Sequence, residues 1–122
     1  MPPFKRVMLD ITPQNVWTVE RYLNVFDFAE IFPEDTFSPE LGRGVPVTLH
    51  TDLGFDIVTD IDRSKMQLRN RSKSHGWMRW TGAKGLHAGD RIVIEPCGER
   101  EFNLSLENHE QRDGDTSVGT RE

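Results

Sequence analysis

Cysteine is almost absent from this 122-residue chain, which contains only Cys97. An internal disulfide is therefore excluded, and a single thiol is typical of proteins in a reducing compartment. No apolar run approaches the roughly 18 residues that a membrane span requires. The first residues, 1–6, also lack the apolar segment of a signal peptide. We therefore expect an intracellular protein that has no membrane partner.

Motifs of catalytic and metal sites are absent as well. The chain has no Gly-x-Ser-x-Gly, P-loop or dinucleotide fingerprint. Its four histidines form no i, i+4 pair and have no Cys-x-x-Cys companion. A nuclease site would have to be built from Asp56, Asp60 and Glu95, whose spacing does not favour one. The sequence therefore predicts no enzyme activity, no metal site and no small-molecule cofactor.

Hydrophobic residues make up only 35% of the chain and occur in short clusters rather than long helical stripes. This pattern is typical of a small, mostly β domain whose strands are apolar on one face. Because closure hides strand edges, a small closed or half-closed barrel is favoured. The pattern predicts seven strands at 4–12, 21–25, 45–51, 55–61, 65–71, 91–96 and 100–106, with short helices at 27–32 and 75–81.

The domain organisation follows from the same pattern. A chain of this length is large enough to form one domain with its own core. Residues 107–122 are polar and lack periodicity, which predicts a disordered tail. We therefore expect one domain over residues 4–106.

Positive charge is concentrated in one segment. Residues 61–84 contain seven lysines and arginines against one acidic residue, a net charge of +6, whereas the whole chain carries −5. Arginine predominates, and its planar guanidinium suits phosphate oxygens and base edges. An acidic protein that collects its cations in one segment is suited to hold a polyanion on one face.

Three tryptophans add to this pattern. Trp77 and Trp80 lie three residues apart on one face of the second predicted helix, and large side chains on a short helix favour the core over base stacking. Trp17 either packs against the barrel or contacts a ligand. The residues expected to join the core are Leu86, Ile92 and Ile94.

Three motifs occur in a specific order. Leu9-Asp10-Ile11-Thr12-Pro13 is followed by Arg21-Tyr22-Leu23 and Phe28-Ala29-Glu30-Ile31-Phe32-Pro33; Asp52-Leu53-Gly54 forms a hairpin turn; and residues 76–90 combine Gly-Trp-x-x-aromatic with Leu-x-x-Gly-Asp. Together they resemble the B3 DNA-binding domain of plant transcription factors and of some bacterial restriction endonucleases. The resemblance covers residues 4–106. It implies a mostly β fold, a seven-stranded open pseudobarrel with two short α-helices.

The resemblance also implies two arms that reach into the major groove of double-stranded DNA, at about 12–21 and 60–73. Cationic side chains on such arms neutralise phosphates, arginine can pair with guanine, and asparagine or glutamine with adenine. Strand alternation would place Lys65, Arg69, Arg71 and Lys73 on one exposed face. The candidate DNA-binding residues are Thr12, Gln14, Asn15, Thr18 and Arg21 in the first arm, and Arg63, Lys65, Gln67, Arg69, Asn70, Arg71, Ser72 and Lys73 in the second.

The expected function is sequence-specific binding of double-stranded DNA, as a transcription-regulator-type or specificity module. The protein would act in the nucleus of a plant, or in the cytoplasm or nucleoid of a bacterium, and could bind DNA as a monomer. One alternative is a DNA-recognition subunit or domain of a restriction system whose nuclease lies elsewhere. Another is a small protein- or ligand-binding barrel without nucleic-acid function, in which lysine and arginine protect an exposed strand edge from aggregation.

Overall fold

The computed structural model of the chain describes residues 5–39, 44–70 and 76–108. These ranges contain eight strands, two α-helices and two 3-10 helices. The strands are β1 Val7–Asp10, β2 Phe37–Ser38, β3 Val47–Thr51, β4 Asp56–Thr59, β5 Ile61–Asp62, β6 Gln67–Leu68, β7 Arg91–Pro96 and β8 Glu101–Glu107. The α-helices are α1 Val16–Arg21 and α2 Trp77–Lys84, and the 3-10 helices are Phe26–Ile31 and Glu34–Thr36.

The strands form two sheets. The larger sheet has the order β1-β7-β8-β3-β4, and only its β3–β8 pair is parallel. The smaller sheet has the order β2-β5-β6, with β2 parallel to β5. The prediction of a mostly β domain is confirmed. The predicted seven-stranded open pseudobarrel is not confirmed, since the described residues hold eight strands in two sheets.

Strand β3 shows how the sequence pattern selects the buried face. Val47 and Leu49 are fully buried, whereas the intervening Thr48 and His50 point outward and are half-buried. The hairpin from β3 to β4 is confirmed: Thr51 and Phe55 pair across the turn, and Gly54 adopts φ 88°, a left-handed conformation that glycine enters without steric cost.

Helix α2 contributes two tryptophans to the core. Trp77 and Trp80 are both 0% exposed, and their rings lie 5.3 Å apart. This confirms that they belong to the core, together with the predicted Leu86, Ile92 and Ile94. The helix continues through Gly82 and ends at Gly85, which adopts φ 69°. Gly82 therefore does not end the helix, because its own backbone remains helical.

Three predicted strands differ from the structure. The strand predicted at 21–25 is wrong. Helix α1 extends to Arg21, and of the four residues that follow only Asn24 makes a β-bridge, to Gln67. The strand predicted at 55–61 divides into β4 and β5. The strand predicted at 65–71 is reduced, within the described residues, to β6, because Met66 lies in a turn with φ 53°. Short elements of this kind carry too few residues for their periodicity to be read.

The described part of the chain reaches residue 108, inside the tail predicted at 107–122. Strand β8 includes Glu107, whose carboxylate pairs with Arg6 at 3.3 Å, so the predicted tail begins at least one residue too early. Residues 109–122 lie outside the described ranges. No helix within those ranges is long and apolar enough to cross a lipid bilayer.

Asp52 joins three elements at one end of the larger sheet. Its carboxylate accepts hydrogen bonds from Trp80 Nε1 at 2.9 Å, from Lys84 Nζ at 2.9 Å and from the Leu106 amide at 3.3 Å. Burial raises the pKa of Asp52, but the hydrogen bonds from Trp80 and Lys84 act in the opposite direction and prevail. The net pKa is therefore lowered from its ordinary value.

This pKa predicts a pH-dependent contribution to stability. A carboxylate whose folded pKa is lowered stabilises the fold above the unfolded pKa of about 3.9, and this contribution is lost as the pH falls through the folded pKa. We expect Asp52→Asn to lose about 1 kcal/mol at neutral pH and to approach the wild type in acid. Urea unfolding of both proteins between about pH 3 and pH 7 measures the difference. A constant difference across this range would contradict the prediction.

Candidate nucleic-acid interface

The first predicted arm is a tight turn followed by helix α1. Asn15 Oδ1 accepts a hydrogen bond from the Thr12 amide at 2.8 Å, and Thr12 Oγ1 accepts one from the Asn15 amide at 3.1 Å. Asn15 Nδ2 also donates to the Asp10 carbonyl at 3.0 Å. This reciprocal turn stops β1 and starts the helix. The predicted base-reading role of Thr12 and Asn15 is therefore not supported, because their polar groups hold the turn.

The remaining candidates of the first arm are accessible. Gln14 is exposed, Thr18 is half-buried, and the Arg21 side chain is 35% exposed. The Arg21 guanidinium lies 4.1 Å from the centroid of the Trp17 ring and donates to the Trp17 carbonyl at 2.9 Å. Trp17 itself is 61% exposed, so it does not pack into the core. The helix thus presents a stacked aromatic and cationic pair to solvent.

Helix α2 holds the first arm in place through two hydrogen bonds. Trp77 Nε1 donates to the Val19 carbonyl at 2.6 Å, and Thr81 Oγ1 donates to the Glu20 carbonyl at 2.7 Å. Val19 is itself buried against the core. These contacts satisfy carbonyls in the last turn of α1 that have no partner within the helix. The buried tryptophan therefore determines where the exposed face of α1 lies.

The second predicted arm begins with the β5–β6 hairpin. Asp62 Oδ1 accepts hydrogen bonds from Ser64 Oγ at 2.7 Å, from the Ser64 amide at 3.0 Å and from the Lys65 amide at 3.3 Å. The Ser64 hydroxyl is the main cause that lowers the pKa of Asp62. The hairpin turn is therefore built around an ionised carboxylate, and Lys65 is exposed at its tip.

Arg69 does not lie on an exposed face of this arm. Its side chain is only 9% exposed, and its Nε donates to Asp60 Oδ2 at 3.2 Å. Its terminal nitrogens contact Asp62 at 3.6 Å and the Ser38 carbonyl at 2.6 Å. The prediction that Arg69 shares an exposed face with Lys65 is wrong, because two carboxylates and a carbonyl hold the guanidinium inside the protein.

Asn70 is also turned inward. Its Nδ2 donates to the Arg21 carbonyl at 2.5 Å, and its Oδ1 is buried. A bidentate contact with adenine needs both atoms, so Asn70 is unsuited to the base-reading role predicted for it. Arg71, Ser72 and Lys73, the last candidates of this arm, lie outside the described residues.

The cations of the segment 61–84 do not form one continuous patch among its described residues. Arg63 pairs with Glu34 and lies 5.2 Å from the Phe37 ring centroid. Arg79 lies 3.8 Å from the Phe55 ring centroid, and Lys84 pairs with Asp52 at 2.9 Å. Within the described ranges, Lys65 alone among these cations has no ion-pair or ring partner. The predicted row of cations is therefore not present in this part of the chain.

The second arm is hydrogen-bonded to the chain that directly follows the first arm. The Leu68 amide donates to the Leu23 carbonyl at 3.0 Å, and the Val25 amide donates to the Met66 carbonyl at 2.8 Å. With the contact from Asn70 to the Arg21 carbonyl, these bonds fix the end of the first arm beside the second. A cleft of about 220 Å³ lies beside them. The residues that line this arm cleft are Tyr22, Asp62, Lys65, Gln67, Leu68, Arg69 and Asn70.

Sequence reasoning did not identify Tyr22 as a candidate. Its side chain follows the first arm directly, is 42% exposed and lines the arm cleft. A tyrosine ring there can stack on a base or sugar and can donate from its hydroxyl. Its position next to the candidate Arg21 could have identified it. Because a strand was predicted at 21–25, Tyr22 was not considered as part of the first arm.

Comparisons with known proteins bear on the fold. No family model matches the chain, and no curated protein matches it. The solved structure of a hypothetical Arabidopsis thaliana protein is similar, with a TM-score of 0.57 and 16% sequence identity. The match covers 88% of this chain and 93% of that chain. At this identity the likeness shows a shared fold over most of both chains and does not show an activity.

Proposed function

We propose that this protein is a B3-like DNA-binding domain, which grips the major groove of double-stranded DNA with its two arms. In this proposal the two open sheets correspond to the open pseudobarrel of B3 domains. The domain would read DNA sequence as a transcription-regulator-type or specificity module and would catalyse no reaction.

The observation that carries the proposal is the link between the base of the first arm and the second arm. Asn70 in the second arm donates to the Arg21 carbonyl at the end of the first, and residues 23–25, which follow the first arm, are hydrogen-bonded to residues 66–68. Tyr22, directly after the first arm, borders the same cleft as the second arm. Two arms held at a constant separation can enter one groove without losing much conformational freedom on binding. The fold likeness to the Arabidopsis protein covers 88% of this chain and supports the fold that the proposal requires.

The structure changes which residues the proposal uses. Lys65 can contact phosphates, as can Arg21, whose ion pair with Glu20 at 3.4 Å lies at the surface. Gln14, Thr18, Gln67 and Tyr22 can contact bases and sugars. Arg63 remains a candidate because its partner, the Glu34 side chain, is 85% exposed, and ion pairs at such exposed sites contribute little. Arg71, Ser72 and Lys73 stay in the set on the sequence alone.

A salt titration of duplex binding tests the proposal. We expect the logarithm of affinity to fall linearly with the logarithm of salt concentration, because bound phosphates release counterions. Lys65→Gln should reduce the slope by about one and weaken binding evenly across sequences. The triple variant Lys65→Gln, Arg71→Gln, Lys73→Gln should reduce it by about three. Fluorescence anisotropy with a labelled random duplex measures both.

Lys5→Gln is the matched control. Lys5 is a lysine of similar exposure that lies outside both arms, and it should leave the slope unchanged. Equal reductions by Lys5→Gln and Lys65→Gln would show nonspecific attraction rather than arm contacts. An absence of duplex binding would remove the proposal and would favour the protein- or ligand-binding alternative.

A further inference from the structure

A second cluster of reactive side chains lies on the outer face of the larger sheet, away from both arms in sequence. His50 lies on β3, Cys97 follows β7, and Glu101 begins β8. One ligand atom from each, an imidazole nitrogen, the thiol sulfur and a carboxylate oxygen, lies within 4.8 Å of the other two. These three residues are called the outer-face cluster.

The backbone fixes the cluster. The Cys97 amide donates to the Glu101 carbonyl at 2.8 Å, which closes the turn between β7 and β8 and brings the two side chains together. Strand β3 pairs in parallel with β8, and His50 is registered opposite Asn103, two residues beyond Glu101 on the same face. The three ligands are therefore placed by sheet pairing and by a hydrogen-bonded turn.

The histidine is oriented by a carboxylate outside the cluster. Asp56, its partner across the β3–β4 hairpin, lies 2.9 Å from His50 Nδ1, and Glu101 lies 2.9 Å from Nε2. When Nδ1–H donates to Asp56, the lone pair of Nε2 faces Glu101 and Cys97. A carboxylate behind a histidine in this way is the usual outer support of a metal-bound imidazole.

Carboxylates on three sides make this face favourable for a cation. Asp56 and Glu101 flank His50, and Glu95 lies two residues before Cys97. Among the described residues, no lysine or arginine forms an ion pair with any of these three carboxylates.

We propose that His50 Nε2, Cys97 Sγ and the Glu101 carboxylate bind a zinc ion, with Asp56 holding the histidine from behind. A thiolate with an imidazole favours zinc over magnesium or calcium, and three protein ligands leave a fourth position for water. Bond lengths of about 2.0–2.3 Å place tetrahedral ligands about 3.5 Å apart, so small side-chain rotations close the cluster around the metal. The Cys97 proton, and any proton on Nε2, leaves to solvent as the metal binds.

The expectation of no metal site relied on spacing within local motifs. Spacing within local motifs does not identify the outer-face cluster. Its ligands come from β3, from β8 and from the turn before β8, and the histidine lies far from the cysteine in sequence. Only the pairing of β3 with β8 brings them together. The proposal is independent of the proposed DNA binding, since neither arm contributes a ligand.

The test is a metal titration of the full chain after removal of metals with a chelator. Calorimetry with zinc should show one site per chain. Titration with cobalt should produce the intense near-ultraviolet absorption of a thiolate bound to the metal. Cys97→Ser should abolish that absorption, and His50→Gln should weaken zinc binding at least tenfold. Asp56→Asn should weaken it by about 10- to 100-fold, the usual effect of losing an outer carboxylate.

His87→Gln is the matched control, because His87 is an exposed histidine that is not part of the cluster, with an 81% exposed side chain. It should bind zinc like the wild type. Circular dichroism without metal should show that each variant is folded, since all four substitutions are at exposed or half-buried positions. The proposal is overturned if no site titrates, if cobalt gives no thiolate absorption, or if His50→Gln and His87→Gln bind zinc equally.

Discussion

Replacing Arg69 by methionine is expected to destabilise the protein by about 3–5 kcal/mol, the usual cost of breaking a buried ion pair. Asp60 is 0% exposed, and its buried carboxylate would lose the ion pair that it forms with Arg69 at 3.2 Å. The Ser38 carbonyl would lose its contact with the guanidinium at the same time. Urea unfolding measures the loss as a lower midpoint at an unchanged slope.

A second substitution separates this charge effect from simple loss of packing. Asp60→Asn removes the charge and keeps an acceptor for the Gly44 amide, which donates to the Asp60 carboxylate at 3.1 Å. The double variant with Arg69→Met should therefore be more stable than the sum of the two single losses predicts, by about 0.5–3 kcal/mol. Simple additivity of the two losses would contradict a direct pairing.

Lys65→Gln is the control for the same arm. Lys65 is exposed, so its loss should change stability by no more than about 0.5 kcal/mol, while it reduces the salt dependence of DNA binding. If Arg69→Met left stability unchanged, the guanidinium would be free to contact a ligand. The original prediction of Arg69 as a DNA contact would then return.

The second large effect is expected at Trp77. Trp77→Ala should cost about 3–5 kcal/mol, because it removes a fully buried ring that contacts the core around Trp80. The milder Trp77→Phe keeps most of the apolar volume but loses the hydrogen bond to the Val19 carbonyl at 2.6 Å. We expect that variant to fold and to lose about 1–3 kcal/mol, the cost of a buried acceptor without its donor.

Trp17→Phe provides the comparison. The Trp17 side chain is 61% exposed, and its substitution should change stability by no more than about 0.5 kcal/mol. Thermal unfolding of the three variants measures the order of effects. Equal losses at Trp17 and Trp77 would contradict the described core.

Trp77→Phe also separates the stability of the fold from the placement of the first arm. Loss of the bond to Val19 removes one of the two hydrogen bonds by which α2 holds the last turn of α1, which carries Arg21. If the proposed function is correct, DNA affinity should fall in conditions where Trp77→Phe remains fully folded. An unchanged affinity would mean that α1 is not part of the interface.

Hydrophobic spacing was sufficient to predict those elements that are long or are bounded by clear turn residues. The β3–β4 hairpin around Gly54, helix α2 and the β7–β8 hairpin were all predicted in nearly their observed positions. The core role of Trp77 and Trp80 followed from their size and spacing. Predictions failed where the elements had few residues, as in α1 and β6, since a turn stabilised by side chains, like that of Thr12 and Asn15, overrides weak periodicity.

The candidate site was less predictable than the fold. A sequence shows that Arg69, Lys65 and Asn70 are polar, but it does not show which polar groups are used inside the protein. Asp60 and Arg69 are nine residues apart, and only the folded chain shows that they form a buried pair. For the same reason the sequence did not reveal the outer-face cluster, whose members come from β3, from β8 and from the turn before β8.

The amino-acid sequence by itself determined a mostly β domain with tryptophans in its core and positive charge concentrated in one segment, because composition and local periodicity are properties of the chain. The tertiary structure decided which of those charges face solvent and which side chains meet. Partners of a charge are chosen by strand pairing across many residues, and a buried charge must find a partner wherever the fold places one. The exposure of Lys65 and the enclosure of Arg69 differ for this reason alone.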